Sequence, residues 1–89
     1  MEFEWNPDKA RSNETKHGVS FAEASEVFGD PLSSTAVDPD HSGHEERFVI
    51  FGKSKKDRHL VVSFTERGDR IRIISARTMT RRERTAYEQ

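Results

Sequence analysis

The stretch His59-Leu-Val-Val-Ser-Phe-Thr-Glu-Arg67, then Gly68-Asp69, then Arg70-Ile-Arg-Ile-Ile-Ser-Ala76 carries the main fold information in the chain. Two runs rich in β-branched and aromatic residues flank a Gly-X pair, which predicts two strands joined by a type II′ turn. That turn sets a register in which paired positions sum to 137. Phe64 then faces Ile73 and Val62 faces Ser75 on one side of the sheet. On the other side lie Thr65 opposite Arg72 and Arg67 opposite Arg70, with Ser63 and His59 further along. Directly opposed arginines repel, so an acid such as Glu66 or Asp69, or a bound anion, must offset them. By the same parity Glu66 and Arg77 fall on the opposite face, unless a bulge intervenes.

Outward from the hairpin, Arg47–Lys53 reads as a strand whose Phe48-Val49-Ile50-Phe51 centre is apolar on both faces, predicting a central strand covered on both sides. Leu32–Val37 is a weaker strand, followed by the polar loop Asp38–Glu45, and Lys53–Asp57 is a charged turn. Ser20–Phe28 reads as a helix, with Ser20 and Glu23 as a capping box and Val19 and Ala24 as a hydrophobic staple. Its apolar stripe is Phe21, Ala24 and Phe28. Asn6-Pro7 opens an earlier helix as cap and first helical residue. From Asp8 to Lys16 that helix offers only Ala10 to a core, and Gly18 stops it. Phe3-Glu4-Trp5 reads as an edge strand. A last helix runs from Thr80 to Gln89, with Thr80 and Glu83 as a second capping box. The expected architecture is one α+β domain over residues 1–89: two N-terminal helices and a C-terminal helix with an antiparallel sheet.

Charged residues make up 35% of the 89, above the usual ~25%, and apolar residues counted with glycine, 32 of 89, fall below the usual ~45–50%. Leu, Ile, Val and Phe total 18, enough for a thin core that a partner would help complete. No apolar run approaches the ~20 residues of a membrane span, and Met1–Trp5 is too short and acidic for a signal peptide. The absence of cysteine excludes a disulfide scaffold, a thiol nucleophile and a cysteine-based zinc site, and fits the cytoplasm. A net charge of −1 hides an asymmetry: residues 1–46 carry eleven acids and three bases, residues 47–89 twelve bases and five acids. Such a split points to a polyanionic partner, or to two halves that neutralise each other in the fold.

The strongest chemical constellation is basic. Arg58, Arg67, Arg70, Arg72, Arg77, Arg81, Arg82 and Arg84 are eight of the ten arginines and fall within 27 residues. Guanidinium groups grip phosphate in a bidentate manner and stabilise the spread charge of a pentacovalent phosphorane. A ribonuclease that uses no metal needs such cations, a group to activate the 2′-hydroxyl and an acid for the leaving oxygen. Arg67, Arg72 and Arg77 are the candidate catalytic cations, and His59, Glu66 and Tyr87 the candidate proton-transfer groups. Arg58, Arg70, Arg81 and Arg82 are candidate RNA-binding residues. Arg81 and Arg82 share a helix start whose N–H groups can cradle a phosphate. Lys9, Asn13 and His17 form an i, i+4, i+8 stripe that either faces a cleft or holds the chain by hydrogen bonds. Asp38, Asp40, His41, His44 and Glu45 crowd one loop, but Ser42 and Gly43 make a poor metal scaffold; no metal or cofactor is expected.

Several motifs are specific. Phe3-Glu-Trp-Asn-Pro-x-Lys9 and Asn13-x-x-Lys-His17-Gly-Val-Ser-Phe21 are followed by Val27-Phe-x-Asp-Pro31, His41-Ser and Glu45-Glu-Arg47. Thr65-Glu-Arg-Gly-Asp-x-Ile-Arg-Ile-Ile-Ser-Ala-Arg77 and Arg81-Arg-Glu-Arg84…Tyr87 close the series. In this order they resemble the BrnT toxins over nearly the whole chain. One departure is Asp57, where many members carry glycine before the arginine. The resemblance implies the toxin half of a type II toxin–antitoxin system, with a fold similar to RelE-type ribonucleases. It also implies cleavage of RNA that halts translation. The implied partner is a BrnA-like antitoxin in a heterotetramer, with operator DNA contacted only through that antitoxin. The alternative from another class is a non-catalytic module that binds nucleic acid or the antitoxin through its basic half.

Overall fold

Residues 1–38 and 45–89 are described in a computed structural model. Asp40, His41 and His44 of the candidate loop lie outside that description. The described elements are β1 (Glu2–Glu4), α1 (Pro7–His17), α2 (Phe21–Ser25), a 3₁₀ turn (Glu26–Gly29), β2 (Ser34–Val37), β3 (Phe48–Lys53), β4 (His59–Arg67), β5 (Arg70–Thr78) and α3 (Arg81–Tyr87). The α+β class is as the sequence predicts. The strands form one sheet in the order β1-β5-β4-β3-β2, so β4 is central and β3 lies one strand inside the edge.

Two details of the sheet depart from the sequence reading. β1 runs parallel to β5, pairing Glu2 with Arg70, Phe3 with Ile71 and Glu4 with Arg72, which makes the sheet mixed. No hairpin ties β1 to β5, so turn geometry does not impose a direction. This placement puts Phe3 on the core side with Ile71 and the two glutamates beside arginines. The second departure lies within the hairpin. The turn has φ of +63° at Gly68 and not at Asp69, the pattern of type II′, and the first four pairs, from Arg67↔Arg70 to Phe64↔Ile73, have the expected register. Between Phe64 and Ser63 the register shifts, giving Ser63↔Ser75, Val62↔Ala76 and Val61↔Arg77. Ile74 is the extra residue of a β-bulge, and past it the side-chain parity of β5 inverts. Burial records the switch: Ile71 and Ile73 face the core before the bulge, and Ala76 faces it after.

One face of the sheet holds the core. Val19, Phe21, Ala24 and Val27 pack on Ile50, Leu60, Val62, Phe64, Ile71, Ile73 and Ala76, with Phe3, Trp5, Phe28 and Phe48 at the margin. Phe28 bridges Phe3 and Phe64 at centroid distances of 5.2 and 4.9 Å. The expected helix over Ser20–Phe28 is α-helical only to Ser25 and then tightens into the 3₁₀ turn, which buries Val27 as well. Val27 sits so close to β3 that a Cβ at Gly52 would lie 3.1 Å from its Cβ. The first helices pack on the Ile50 side of β3; on the other side Val49 and Phe51 are half-buried, and Phe51 shares a cavity with Arg82, Glu83, Ala86 and Tyr87 of α3.

The polar helix α1 is held by a side chain rather than by an apolar stripe. Asn13 donates to the carbonyls of Val19 (3.0 Å) and Ala76 (2.8 Å) and accepts from the Ala76 amide (3.0 Å). β1 covers the β5 edge only as far as Arg72, so the Asn13 amide takes the place of a strand opposite Ala76. The departure at Asp57 is also accommodated: its φ is +68°, a conformation open to glycine and, less readily, to aspartate.

Candidate active-site cleft on the open sheet face

The bulge at Ile74 builds the site. By turning Arg77 over, it places that residue on the face opposite the core, in line with Ser75, Arg72 and Arg70. A cleft of about 300 Å³ lies on this face, floored by Val49 and Val61 and lined by His17, Asp38, Ser63, Ser75 and Arg77. His17 enters from the last turn of α1, and Ser63 and Ser75 are cross-strand partners. An imidazole, a carboxylate, two hydroxyls and a guanidinium thus line one cleft over a hydrophobic floor.

Glu83 fixes the guanidinium. It accepts from Arg77 Nη1 and Nη2 at 2.8 and 2.9 Å, and Nη1 also donates to the Thr78 carbonyl at 3.1 Å. Beside this end-on fork, Nε–H and one Nη2–H along the side of the group have no partner among the described residues. A phosphate can therefore dock side-on without displacing the carboxylate. Glu83 also accepts from the Thr80 amide at 2.8 Å, completing the capping box of α3. Its hydrogen bonds to Arg77 hold its carboxyl down to about 2 against the opposing effect of burial.

A pH dependence follows. The native carboxyl titrates below its ordinary value, so the unfolded chain binds more protons between about 4.5 and about 2. Stability from the pair is therefore complete above that window and is lost as pH falls through it. Glu83→Gln should remove that part of the acid sensitivity, read as a flatter plot of urea midpoint against pH between 5 and 2.5. An unchanged acid limb would mean that the pair contributes nothing.

The other arginines are mostly occupied. Arg72 meets Glu4 at 2.9 Å, Arg70 lies 3.4 Å from Glu2 and 3.7 Å from Glu4, and Arg67 meets Glu45 at 3.2 Å. Arg58 is bound by Glu23 at 2.6 and 2.9 Å and by the Gly18 carbonyl at 2.8 Å. All these carboxylates come from the acidic half of the chain, so the halves neutralise each other at four arginines. Glu4 and Glu2, rather than Glu66 or Asp69, lie beside Arg70. Glu23 keeps one arm of its expected capping box, its N–H donating to Ser20, while its carboxylate turns to Arg58 and Ser54. Arg81 and Arg82 make no ion pair among the described residues, and at the same end of the seven-residue α3 the Thr80 hydroxyl caps the Glu83 amide.

A family model described as the ribonuclease toxin BrnT of type II toxin–antitoxin systems matches residues 5–83. The chain belongs to the BrnT family. No curated protein matches the sequence. Among solved structures, the ribonuclease toxin BrnT of Brucella abortus aligns with 24% identity and a TM-score of 0.66, covering 91% of this chain and 99% of that one; the likeness is one of fold. The BrnT family consists of ribonuclease toxins, and a type II toxin has an antitoxin partner. No helix among the described residues is long and apolar enough to cross a membrane.

Within this BrnT-family chain the proton-transfer residues expected from sequence do not converge on the cleft. Glu66 pairs with Ile71 on the core-side parity and is exposed beside the turn. His59, with 12% of its side chain exposed, stacks edge-on with Tyr87 at 5.5 Å and lies 3.5 Å from Glu88. Tyr87 donates its hydroxyl proton to Asp30, and burial together with that bond pushes the phenol up to about 12. Both rings fasten α3 to the sheet. His17, Ser63 and Ser75 supply the polar lining instead. His17 was legible as part of the α1 stripe, of which Asn13 holds the chain and His17 faces the cleft. The serines carry no sequence signal beyond their parity.

Proposed function

We propose that this chain is a metal-independent endoribonuclease toxin that cuts RNA in the His17–Arg77 cleft, halts translation in the cytoplasm, and is neutralised by a BrnA-like antitoxin. The supporting observation is the bulge that sets Arg77, with its side edge unpartnered among the described residues, on the same face as His17, Ser63 and Ser75. An imidazole can take the 2′-hydroxyl proton and so activate that oxygen for attack on the adjacent phosphorus. The Arg77 edge then donates to the non-bridging oxygens as phosphorane charge builds; Arg72 and Arg67, on the same strand face, contribute there only where RNA phosphate displaces their Glu4 and Glu45 partners. The 2′-oxygen bonds to phosphorus as the P–O5′ bond breaks, giving a 2′,3′-cyclic phosphate; the departing 5′-oxygen takes its proton from solvent water, and His17 returns the 2′-hydroxyl proton to solvent. Arg81 and Arg82, at the α3 end, contact flanking phosphates. The antitoxin pairs with the toxin in a heterotetramer and supplies the contact to operator DNA.

Purified chain incubated with RNA in excess chelator should yield fragments ending in 2′,3′-cyclic phosphate and 5′-hydroxyl groups. RNA that is bound in a salt-dependent manner but stays intact would instead make the chain a non-catalytic binding module.

A further inference from the structure

The helix α1 presents a feature that the cleft does not account for. It has eleven residues, and Asn13 is the one buried among them. Its outer flank forms a groove of about 210 Å³ against β5, lined by Lys9, Ser12, Lys16, His17 and Ser75. His17 and Ser75 line the candidate cleft as well, so the two depressions adjoin at the β5 edge. The cations also differ in kind. Arg58, Arg67, Arg70, Arg72 and Arg77 each have a carboxylate partner within the chain, whereas the side chains of Lys9 and Lys16 have none among the described residues. Seven residues apart, they lie on one flank, about 10 Å from each other along the axis. β1 ends at Glu4, so no strand covers β5 beside this groove.

We infer that the α1 groove is a subsite for the RNA backbone, in which Lys9 and Lys16 hold phosphates flanking the bond cut at His17 and Arg77. This rests on the ribonuclease reading and adds a direction to it. The strand leaves the cleft over the β5 edge and runs along α1. Unneutralised ammonium groups on an exposed flank release counterions when they meet phosphates, and they read no base. A helix with a single apolar residue is thereby explained as a cationic rail rather than a core element.

Binding of a single-stranded 12-mer RNA, 2′-O-methylated throughout so that it cannot be cleaved, tests the subsite by fluorescence anisotropy over a range of salt. Lys9→Ala/Lys16→Ala should bind more weakly at low salt, with a slope of log affinity against log salt shallower by roughly 1.4, about 0.7 for each lost contact. Its cleavage of a dinucleotide, too short to reach α1, should equal that of the parent. Parent-like affinity and slope in the folded variant would overturn the inference, as would no binding of the 12-mer by the parent. Loss of dinucleotide cleavage would also overturn it, by placing the lysines in the cleft. Unchanged RNA binding with lost affinity for a polyglutamate peptide would make the groove a protein-docking surface instead. A lysine-dependent slope in a chain that cleaves nothing would leave the subsite standing and remove the ribonuclease reading.

Discussion

Arg77→Ala and His17→Ala should each lower the rate of RNA cleavage by about 10²–10³-fold while leaving the chain folded. The size follows from the removal of a group that meets charge or a proton chiefly in the transition state, so the loss should fall on kcat more than on KM. Arg77→Lys should recover only part of it, since an ammonium keeps the charge but cannot offer a side edge to phosphate while an end-on fork holds Glu83. Glu66→Ala serves as a contrast: the residue lies beside the turn and on the other parity, and its loss should leave the rate within a few-fold. Single-turnover cleavage of a labelled RNA, with circular dichroism to verify folding, measures all four. Near-parental rates in folded Arg77→Ala and His17→Ala would place the chemistry elsewhere.

Arg58→Ala should destabilise the fold by about 3 kcal/mol at neutral pH, a large part of what a domain of this size possesses. The Glu23 side chain is 4% exposed, whereas that of Arg58 is 38% exposed. Truncating the arginine therefore leaves a buried carboxylate with the Ser54 hydroxyl, at 2.8 Å, as its one side-chain hydrogen-bond partner among the described residues. Solvent reaching Arg58 places the expected loss at the low end for a broken buried pair. The Arg58 hydrogen bonds hold the Glu23 carboxyl below its ordinary value in spite of burial. The contribution of the pair is thus complete above that ordinary value and fades on acidification. Urea unfolding of the parent and Arg58→Ala at pH 7 and pH 4 should show the deficit shrinking at the lower pH. The double variant Glu23→Gln/Arg58→Ala should regain part of the loss, because no buried charge then remains. A deficit below about 1 kcal/mol would mean that Arg58 is free to meet phosphate, as its place in the basic cluster first indicates.

The elements were legible where local chemistry specifies them. Asn6-Pro7, Ser20 and Thr80 mark helix starts, Gly68 marks the hairpin turn, and the alternation through Val62, Phe64, Ile71 and Ile73 marks the core face. The role of Glu23 was not legible, because Ser-x-x-Glu reads as a capping box whichever partner the carboxylate finally takes. Nor was the setting of Tyr87, whose partner Asp30 is 57 residues away. The basic cluster was visible as a count, but the count cannot tell a paired arginine from a free one.

The sequence by itself determined the α+β class, the hairpin with its first four pairs, the charge asymmetry and the family. Each of these depends on residue type and short-range spacing. Tertiary structure decided which cations are neutralised, since Glu2, Glu4, Glu23 and Glu45 meet their arginines only across the fold. It also decided on which face Arg77 stands. One residue inserted at Ile74 inverts the parity of the rest of β5. The inversion leaves no mark on local propensity, because it is chosen by how Ile73 and Ala76 both reach a core built from distant residues.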